Sequence, residues 1–324
     1  MHAAIITIKQ DLHALAVKTA FAGRHGWTCD VIEVDSLADT GSLNWSPDNG
    51  RAHGTLPARG GGRVDVSSLD VVWWRRFALG DDIALPKDVS DPTAIDVISG
   101  DTRMSAMGVM LCDFHGAWVS HPDATRRAEN KLVQLRAAQE AGFRIPKTLV
   151  SQDPVRIRAF ANELGGSVVL KSLTNTNYAA LTATIVNSEA LACDRALRLS
   201  PAIYQEVIPG TRHLRVHCFG EEFHAALITC EQLDWRYNLA SATIETFALP
   251  SQIKAAILKV MDTLQLRMGV FDLKITPDEE IVWFEVNPQG QFLFIEGLSD
   301  MKLTEAMTDF LVREAQERRA AARS

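Results

Sequence analysis

Hydrophobic and polar positions change their period along the chain, and the change predicts two kinds of architecture. Residues 3–8 form an apolar β-type run, and apolar residues then recur at helical spacing over 12–20 behind a capping Asp11. A second strand is predicted at 30–34, which completes a β-α-β unit. Short strands predominate between 167 and 247. The pattern therefore predicts an α/β region followed by an α+β region.

Three further helices are predicted in the later part of the chain. Apolar residues at helical spacing indicate one helix over about 123–141, which Gly142 ends, a second over about 251–266 and a third over about 303–319. The second of these helices leads directly into a pair of strands near the end of the chain. Those two strands carry the most informative pattern in the sequence.

Residues 269–292 predict a hairpin with acidic residues on an unexpected face. Pairing about a turn centred on 278–279 places Asp272 opposite Glu285, and Asn287 shares their face because side chains alternate along a strand. Like charges opposite each other destabilise a strand pair, and a half-buried strand disfavours an unpaired carboxylate. A divalent cation relieves both effects, and this oxygen-only set suits Mg²⁺ held jointly with phosphates. The alternative is a hairpin whose acids lie in solvent.

Two lysines precede the hairpin. Lys171 ends the apolar run Val-Val-Leu-Lys, and a lysine at the end of a buried strand needs an anionic partner such as a phosphate, unless it extends to the surface. Lys131 lies in the first turns of its helix, where lysines are usually solvated. Residues 204–210 have the character of an edge strand stopped by Pro and Gly, and its backbone groups suit hydrogen bonding to an adenine edge.

Composition bounds the possible functions. The chain has 324 residues, of which 47% are hydrophobic, so it can bury a large core and hold two or three domains. No apolar run approaches membrane-spanning length, and the first residues lack the basic start of a signal peptide. The five cysteines are scattered without a Cys-x-x-Cys pair, which argues against a zinc site and for a reducing, cytoplasmic location. A net charge of −7 disfavours general nucleic-acid binding.

Taken in order, these features resemble the ATP-grasp superfamily. The order is a helix lysine, a strand lysine, the segment Gln-Glu-x-x-x-Gly at 205–210, a strand acid and a final Glu-x-Asn. The resemblance covers roughly residues 120–295 and implies use of ATP and Mg²⁺. It also implies an ATP-grasp fold with an N-terminal Rossmann-like domain (1–120), a central α+β lobe (121–204) and a C-terminal antiparallel-sheet lobe with the Mg²⁺ site (205–324).

The resemblance implies four sets of site residues: lysines that hold ATP phosphates, hinge residues along the adenine, Mg²⁺ ligands, and arginines that stabilise charge on the reacting carboxyl group. The phosphate lysines are Lys131 and Lys171, and the hinge residues are Gln205, Glu206, Val207 and Ile208. The Mg²⁺ ligands are Asp272, Glu285 and Asn287, and the arginines are Arg215 and Arg236. A surface location is the alternative for each arginine. The expected chemistry is phosphorylation of a carboxylate by ATP, followed by attack of a nucleophile on the acyl phosphate.

Two tryptophan-arginine segments narrow the resemblance. Val72-Trp-Trp-Arg-Arg-Phe77 and Asp234-Trp-Arg236 are similar to segments of the microviridin-type peptide cyclases, or graspetide synthetases, although Phe77 stands where a proline is common. This implies an ATP-dependent ligase that crosslinks an Asp or Glu side chain of a ribosomal precursor peptide, with leader and core, to a Ser or Thr hydroxyl or a Lys amine. A homodimer is a further implication.

Two alternatives to this function stay open. One is a glutamate ligase of the ribosomal-protein-modifying type, which adds free glutamate to a carboxylate, and the other is a non-catalytic module that binds nucleotide or peptide. The segment Asp234-Trp-Arg236 favours the peptide cyclase over the glutamate ligase. Retention of Asp272, Glu285 and Asn287 disfavours the non-catalytic module. The sequence does not distinguish an ester from an amide product.

Overall fold

The computed structural model describes residues 1–47, 53–77, 83, 85, 88–174, 183–237 and 239–323. The chain forms two compact units, one made of Met1–Pro122 with Gln289–Ser324 and the other of Asp123–Pro288. None of the helices in the described ranges combines the length and the apolar character that a membrane crossing requires. The three-part domain division expected from the sequence remains a prediction.

The first unit opens with the predicted β-α-β arrangement. In chain order its elements are β1 (His2–Thr7), α1 (Leu12–His25), β2 (Thr28–Glu33), α2 (Leu37–Thr40), β3 (Asn44–Ser46), β4 (His53–Pro57), β5 (Arg63–Asp65), β6 (Val71–Trp74), α3 (Pro92–Asp113) and β7 (Ala117–Val119). A parallel sheet has the order β2-β1-β6-β7, and β3, β4 and β5 form a separate antiparallel sheet. The central strands of the parallel sheet, β1 and β6, are buried on both faces, as strands of parallel sheets usually are.

The Trp-Trp-Arg-Arg segment lies at the end of β6 and is largely buried. Trp73 is in the core, as its place in an apolar strand indicates. The Arg75 guanidinium is fully buried; its Nε donates to Asp11 Oδ2 at 2.6 Å and its Nη1 to the carbonyl oxygen of Gln289 at 3.1 Å. A buried charge needs such partners. The segment that resembles the peptide cyclases therefore helps to hold the first unit together.

The second unit contains two antiparallel sheets. Its elements are α4 (Pro122–Ala128), α5 (Lys131–Ala141), β8 (Thr148–Ser151), α6 (Pro154–Glu163), β9 (Ser167–Lys171), β10 (Thr184–Asn187), α7 (Asp194–Leu199), β11 (Ala202–Gln205), β12 (Arg212–Phe219), β13 (Glu222–Thr229), β14 (Thr243–Thr246), α8 (Ser251–Leu264), β15 (Met268–Ile275) and β16 (Ile281–Asn287). The sheets have the orders β10-β9-β11-β8 and β14-β13-β12-β15-β16. Helices α5 and α8 share one apolar core with the larger sheet.

The single helix predicted over 123–141 is wrong, because α4 and α5 are separate. Asn130 caps α5, and its side-chain oxygen accepts the N–H groups of Leu132 at 3.0 Å and Val133 at 3.3 Å. Asparagine favours the cap over the helix interior because its short amide satisfies these otherwise unpaired N–H groups. The break makes Lys131 the first residue of α5, which places it at the site described below.

The end of the chain returns to the first unit. Helices α9 (Leu293–Leu298) and α10 (Leu303–Ala321) follow β16, and α10 packs against α1 and the parallel sheet. Arg24 of α1 donates to Glu305 at 2.6 Å, and Arg319 donates to Asp70 at 2.7 Å. The first unit is therefore completed by residues that are distant in sequence from its beginning.

Candidate active site

The predicted hairpin is formed by β15 and β16, and Asp272 lies directly opposite Glu285, as predicted. The register changes between Asp272 and Leu273, because Leu273 pairs with Trp283 and Phe284 is an extra residue on the second strand. A bulge of this kind re-aims the side chains that follow it. Trp283 is thereby fully buried, whereas Glu285 lies on the same face as Asp272.

The expected centre of the turn is wrong by half a residue. Ile275 pairs with Ile281, so the turn centres on Asp278 rather than on the bond between Asp278 and Glu279. The Thr276 N–H donates to the Glu280 carbonyl oxygen at 2.9 Å, and Glu279 adopts a left-handed φ of 63° that closes the turn. Beyond the bulge at Phe284 the pairing returns to the expected register, so Asp272 faces Glu285.

Asp272 is paired with an arginine on the neighbouring strand. Arg215 on β12 lies opposite Asp272, and its Nη1 donates to both carboxylate oxygens, at 2.7 and 3.0 Å. Burial raises the pKa of Asp272, and the nearby charge of Glu285 raises it further, while the charge of Arg215 acts in the opposite direction. The pKa of Asp272 therefore stays above its usual range even with an arginine partner, because burial outweighs the charge of Arg215.

The donor set of the hairpin fits a hard cation. Asp272 and Glu285 supply facing carboxylates, and Asn287, two residues farther along β16, carries its amide on the same face. Across the described residues, no group of three or more His, Cys, Asp and Glu side chains could hold a metal ion. Two carboxylates and one amide suit Mg²⁺, which is usually held by one or two carboxylates together with substrate phosphates. Their role as ligands remains a prediction.

The two predicted phosphate lysines converge on this hairpin. The Lys131 Nζ lies 3.8 Å from Glu285 Oε2 and donates to the Ser172 carbonyl oxygen at 3.3 Å. The Lys171 Nζ lies 4.9 Å from the centre of the Phe284 ring. Burial lowers the pKa of Lys171 to about 8, although the charge of Glu285 opposes the shift. Partly desolvated ammonium groups with weak partners suit an incoming phosphate.

The two predicted arginines also lie beside the hairpin, in different settings. Arg236 is half-exposed; its Nε and Nη2 donate to the two oxygens of Asp234, both at 2.8 Å, and its Nη1 lies 3.6 Å from Glu285 Oε1. The hydrogen bond with Asp234 raises the pKa of Arg236. Trp235 is adjacent to Arg236 in sequence, but its indole packs over the buried Arg215 guanidinium at 5.5 Å. Neighbouring side chains in this tight turn point in different directions.

The hinge residues are partly engaged by the protein itself. The buried Gln205 amide donates to Thr148 at 2.9 Å, and the Glu206 carboxylate accepts Arg144 at 2.9 Å and the Lys147 N–H at 3.1 Å. The Glu206 side chain is therefore already bound by other residues of the protein. Among the residues that the structure describes, no hydrogen bond engages the Val207 backbone. That peptide group is the one best available to a base at this hinge.

The carbonyl oxygen of Ile208, the last predicted hinge residue, accepts Nζ of the buried Lys274 at 3.0 Å. Lys274 lies two residues from Asp272 and shares its face of the sheet. Sequence analysis did not select Lys274, although its alternation with Asp272 was a usable signal. It also did not select Phe284 as the residue beneath Lys171.

Comparison with known proteins identifies the fold. No protein-family model matches the chain. The macrocyclase MdnC of Microcystis aeruginosa, solved with the precursor peptide MdnA, has a TM-score of 0.85 and 25% identity over 97% of this chain and 100% of its own. A RiPP-associated ATP-grasp ligase of Chryseobacterium gregarium, solved with ADP and a leader and core peptide, has a TM-score of 0.85 and 23% identity over 96% of each chain.

A sequence relative agrees with this result. The alpha-aminoadipate–LysW ligase LysX of Sulfurisphaera tokodaii is 22% identical over 200 residues, which is 59% of this chain and 68% of its own. Together the comparisons confirm the predicted ATP-grasp fold, the resemblance to peptide macrocyclases and the class of ATP-dependent ligases.

Proposed function

We propose that this ATP-grasp ligase activates an Asp or Glu side chain of a ribosomal precursor peptide and joins it to a hydroxyl or amine of the same peptide. The observation that carries the proposal is the meeting of paired carboxylates, lysines and arginines on one hairpin of the second unit. They are Asp272 and Glu285, Lys131 and Lys171, and Arg215 and Arg236. The likeness to MdnC, which binds a precursor peptide, supports the choice of substrate.

The proposed reaction has two balanced steps. A peptide carboxylate oxygen attacks the γ-phosphorus of ATP, the bond to the bridging oxygen breaks, and an acyl phosphate and ADP form. A Ser, Thr or Lys side chain then attacks the acyl carbon, loses a proton, and displaces inorganic phosphate as the ester or amide forms. Each crosslink thus uses one ATP and removes the elements of one water from the peptide.

The lysines and the carboxylates have separate tasks in this scheme. Lys131 and Lys171 lie close enough to Glu285 and Phe284 to place two ammonium groups beside phosphates that approach the hairpin. Asp272, Glu285 and Asn287 would hold Mg²⁺, which when bound neutralises charge on the transferring phosphoryl group. The adenine would lie along the hinge residues 205–208, with Val207 offering its free peptide group.

The arginines act on the reacting carboxyl group. Asp234 holds the planar Arg236 guanidinium by two hydrogen bonds, so its orientation is set before substrate arrives. Arg215 is fixed by Asp272 and covered by the Trp235 indole. Rigid donors of this kind stabilise charge that develops in the transition state without reorganisation. A cytoplasmic location and a homodimer belong to the same proposal.

The test is incubation of the purified protein with a candidate precursor peptide, encoded by a neighbouring short gene rich in Thr or Ser and Asp or Glu. ATP and Mg²⁺ are added, and the peptide mass is measured. Crosslinking lowers the mass by one water for each ring, whereas a glutamate ligase supplied with free glutamate raises it by one residue. An unchanged peptide with bound nucleotide would favour the non-catalytic module. Glu285→Gln provides the inactive control.

A further inference from the structure

Gln134, in the middle of α5, is a buried polar residue with a full set of partners. Only 4% of its surface is exposed. Its Nε2 donates to the carbonyl oxygens of Val286 at 2.8 Å and of Ala128 at 2.6 Å, and its Oε1 accepts the Val286 N–H at 3.0 Å. The side-chain amide therefore binds both main-chain groups of Val286, as a neighbouring strand would.

Val286 stands between the predicted metal ligands Glu285 and Asn287. Among the described strands, β16 is the last in its sheet, and Val286 has a strand partner, Phe271, on the inner side alone. An edge strand leaves its outward N–H and C=O groups without strand partners. Here the Gln134 amide takes that place. Because side chains alternate along a strand, fixing the peptide groups of Val286 also fixes the direction in which both flanking residues project.

The same helix reaches Glu285 a second time. Lys131 and Gln134 are three residues apart on α5 and therefore neighbours on one face of the helix. The Lys131 Nζ lies 3.8 Å from Glu285 Oε2, while the Gln134 amide holds the next peptide group. The amide thus fixes the position of α5 along β16, and with it the distance between the lysine and the carboxylate.

We propose that Gln134 is a positioning residue for the metal site, one that aligns Glu285 and Asn287 and sets α5 against β16. The proposal rests on the proposed function, since it presumes that these two residues bind Mg²⁺. Gln134 is too buried to touch substrate, so its effect passes through Val286. Loss of the amide should then reduce the gain in nucleotide affinity that Mg²⁺ provides, while nucleotide affinity without Mg²⁺ changes much less.

The experiment compares ADP affinity with and without Mg²⁺ by calorimetry. Gln134→Met keeps the length of the side chain but removes all three hydrogen bonds. Gln134→Asn keeps a neutral amide but shortens it by one methylene, so that it cannot reach Val286 and Ala128 together, and this milder change protects the test against unfolding. Gln139→Met is the matched control, since Gln139 is the same residue type on the exposed side of the same helix.

We expect the gain in ADP affinity due to Mg²⁺ to fall about tenfold in both Gln134 variants. A change of this size corresponds to the loss of roughly one hydrogen bond. Metal-free ADP affinity should stay within a few-fold of wild type, as should every value for the control. Equal losses with and without Mg²⁺ would mean a merely structural role and overturn the proposal, as would an unchanged gain. A wild type whose ADP affinity ignores Mg²⁺ would overturn the metal site itself, and this proposal with it.

Discussion

Asp272 faces Glu285 across the final hairpin because the extra residue Phe284 is accommodated between Trp283 and Glu285. Without that bulge, the pairing nearest the turn would continue and Glu285 would lie opposite the fully buried Phe271. A carboxylate in that position would be in the apolar core, where burial is strongly unfavourable. The bulge is therefore what brings the second acidic side chain out of the core and onto the face of the first.

The two acids of this pair should respond differently to neutralisation. Among the described residues, the cations that pair with Glu285 do so loosely, Arg236 at 3.6 Å and Lys131 at 3.8 Å. Glu285→Gln should therefore change the free energy of unfolding by less than about 1 kcal/mol while abolishing ATP turnover. Asp272→Asn removes a charge-assisted partner of the buried Arg215, so in addition to abolishing turnover it should lower the free energy of unfolding by about 1–3 kcal/mol. Denaturant unfolding and phosphate release measure the two effects. Wild-type turnover in Glu285→Gln would refute the metal assignment.

Nucleotide affinity should depend on pH through Lys171. Its pKa of about 8 means that the ammonium is already charged below pH 8, whereas above that value a proton must be taken up when phosphate binds. Metal-free ADP affinity should therefore be constant below pH 8 and fall by up to about tenfold per pH unit above it. Calorimetry in buffers of different ionisation enthalpy detects the uptake. Lys171→Arg should flatten the profile, because a guanidinium stays charged.

Arg236 should act on the reaction more than on nucleotide binding. Arg236→Ala should leave ATP affinity within a few-fold but slow peptide crosslinking by about a hundredfold, the scale of losing one donor to a developing oxyanion. Arg236→Lys should rescue only in part, because it lacks the planar fork that meets both oxygens of Asp234. Affinity and rate are compared in one preparation. If affinity collapses together with the rate, Arg236 belongs to nucleotide binding.

Metal should bind only together with nucleotide. Among the described residues, seven charged groups at Asp272 and Glu285 interact through their charges. They are three carboxylates and four cations, a net charge of +1: Asp234, Asp272, Glu285, Lys131, Lys171, Arg215 and Arg236. Such a site repels a free divalent cation and attracts an anion. Electron paramagnetic resonance should thus detect bound Mn²⁺ only when ADP is present. Lys131→Met, which leaves the site neutral, should allow some binding of Mn²⁺ alone. Tight binding of Mn²⁺ to nucleotide-free wild type would contradict this order.

Much of the hairpin could be predicted from the sequence because the alternation of side chains is a local property. The facing pair of Asp272 and Glu285 followed from two strands and a turn. The bulge at Phe284 could not be predicted, since the choice between a bulge and a shifted turn depends on which of Trp283 and Phe284 enters the core. That choice is made by packing against the helices, which is a tertiary effect.

Other features were hidden for a similar reason. A glutamine in a helix is usually solvated, so the sequence around Gln134 does not indicate that it is buried. Its hydrogen-bond partner, Val286, is on a strand 152 residues away. The partner of the Trp235 indole had no local signal either, since Arg215 lies on a distant strand and only the fold brings it beneath the ring. The helix break at Asn130 had a local signal, the cap preference of asparagine, that the apolar spacing of 123–141 concealed.

The return of the chain to the first unit has a consequence for the order of folding during synthesis. The strands of the parallel sheet are made early, but α10, which packs on the sheet and supplies Arg319 to Asp70, is made only after the second unit. The second unit is a continuous stretch that is complete before then, and such stretches fold as units. It should therefore fold before the first unit acquires α10. Removal of the residues after Pro288 should then expose the parallel sheet of the first unit to proteases while leaving the second unit resistant.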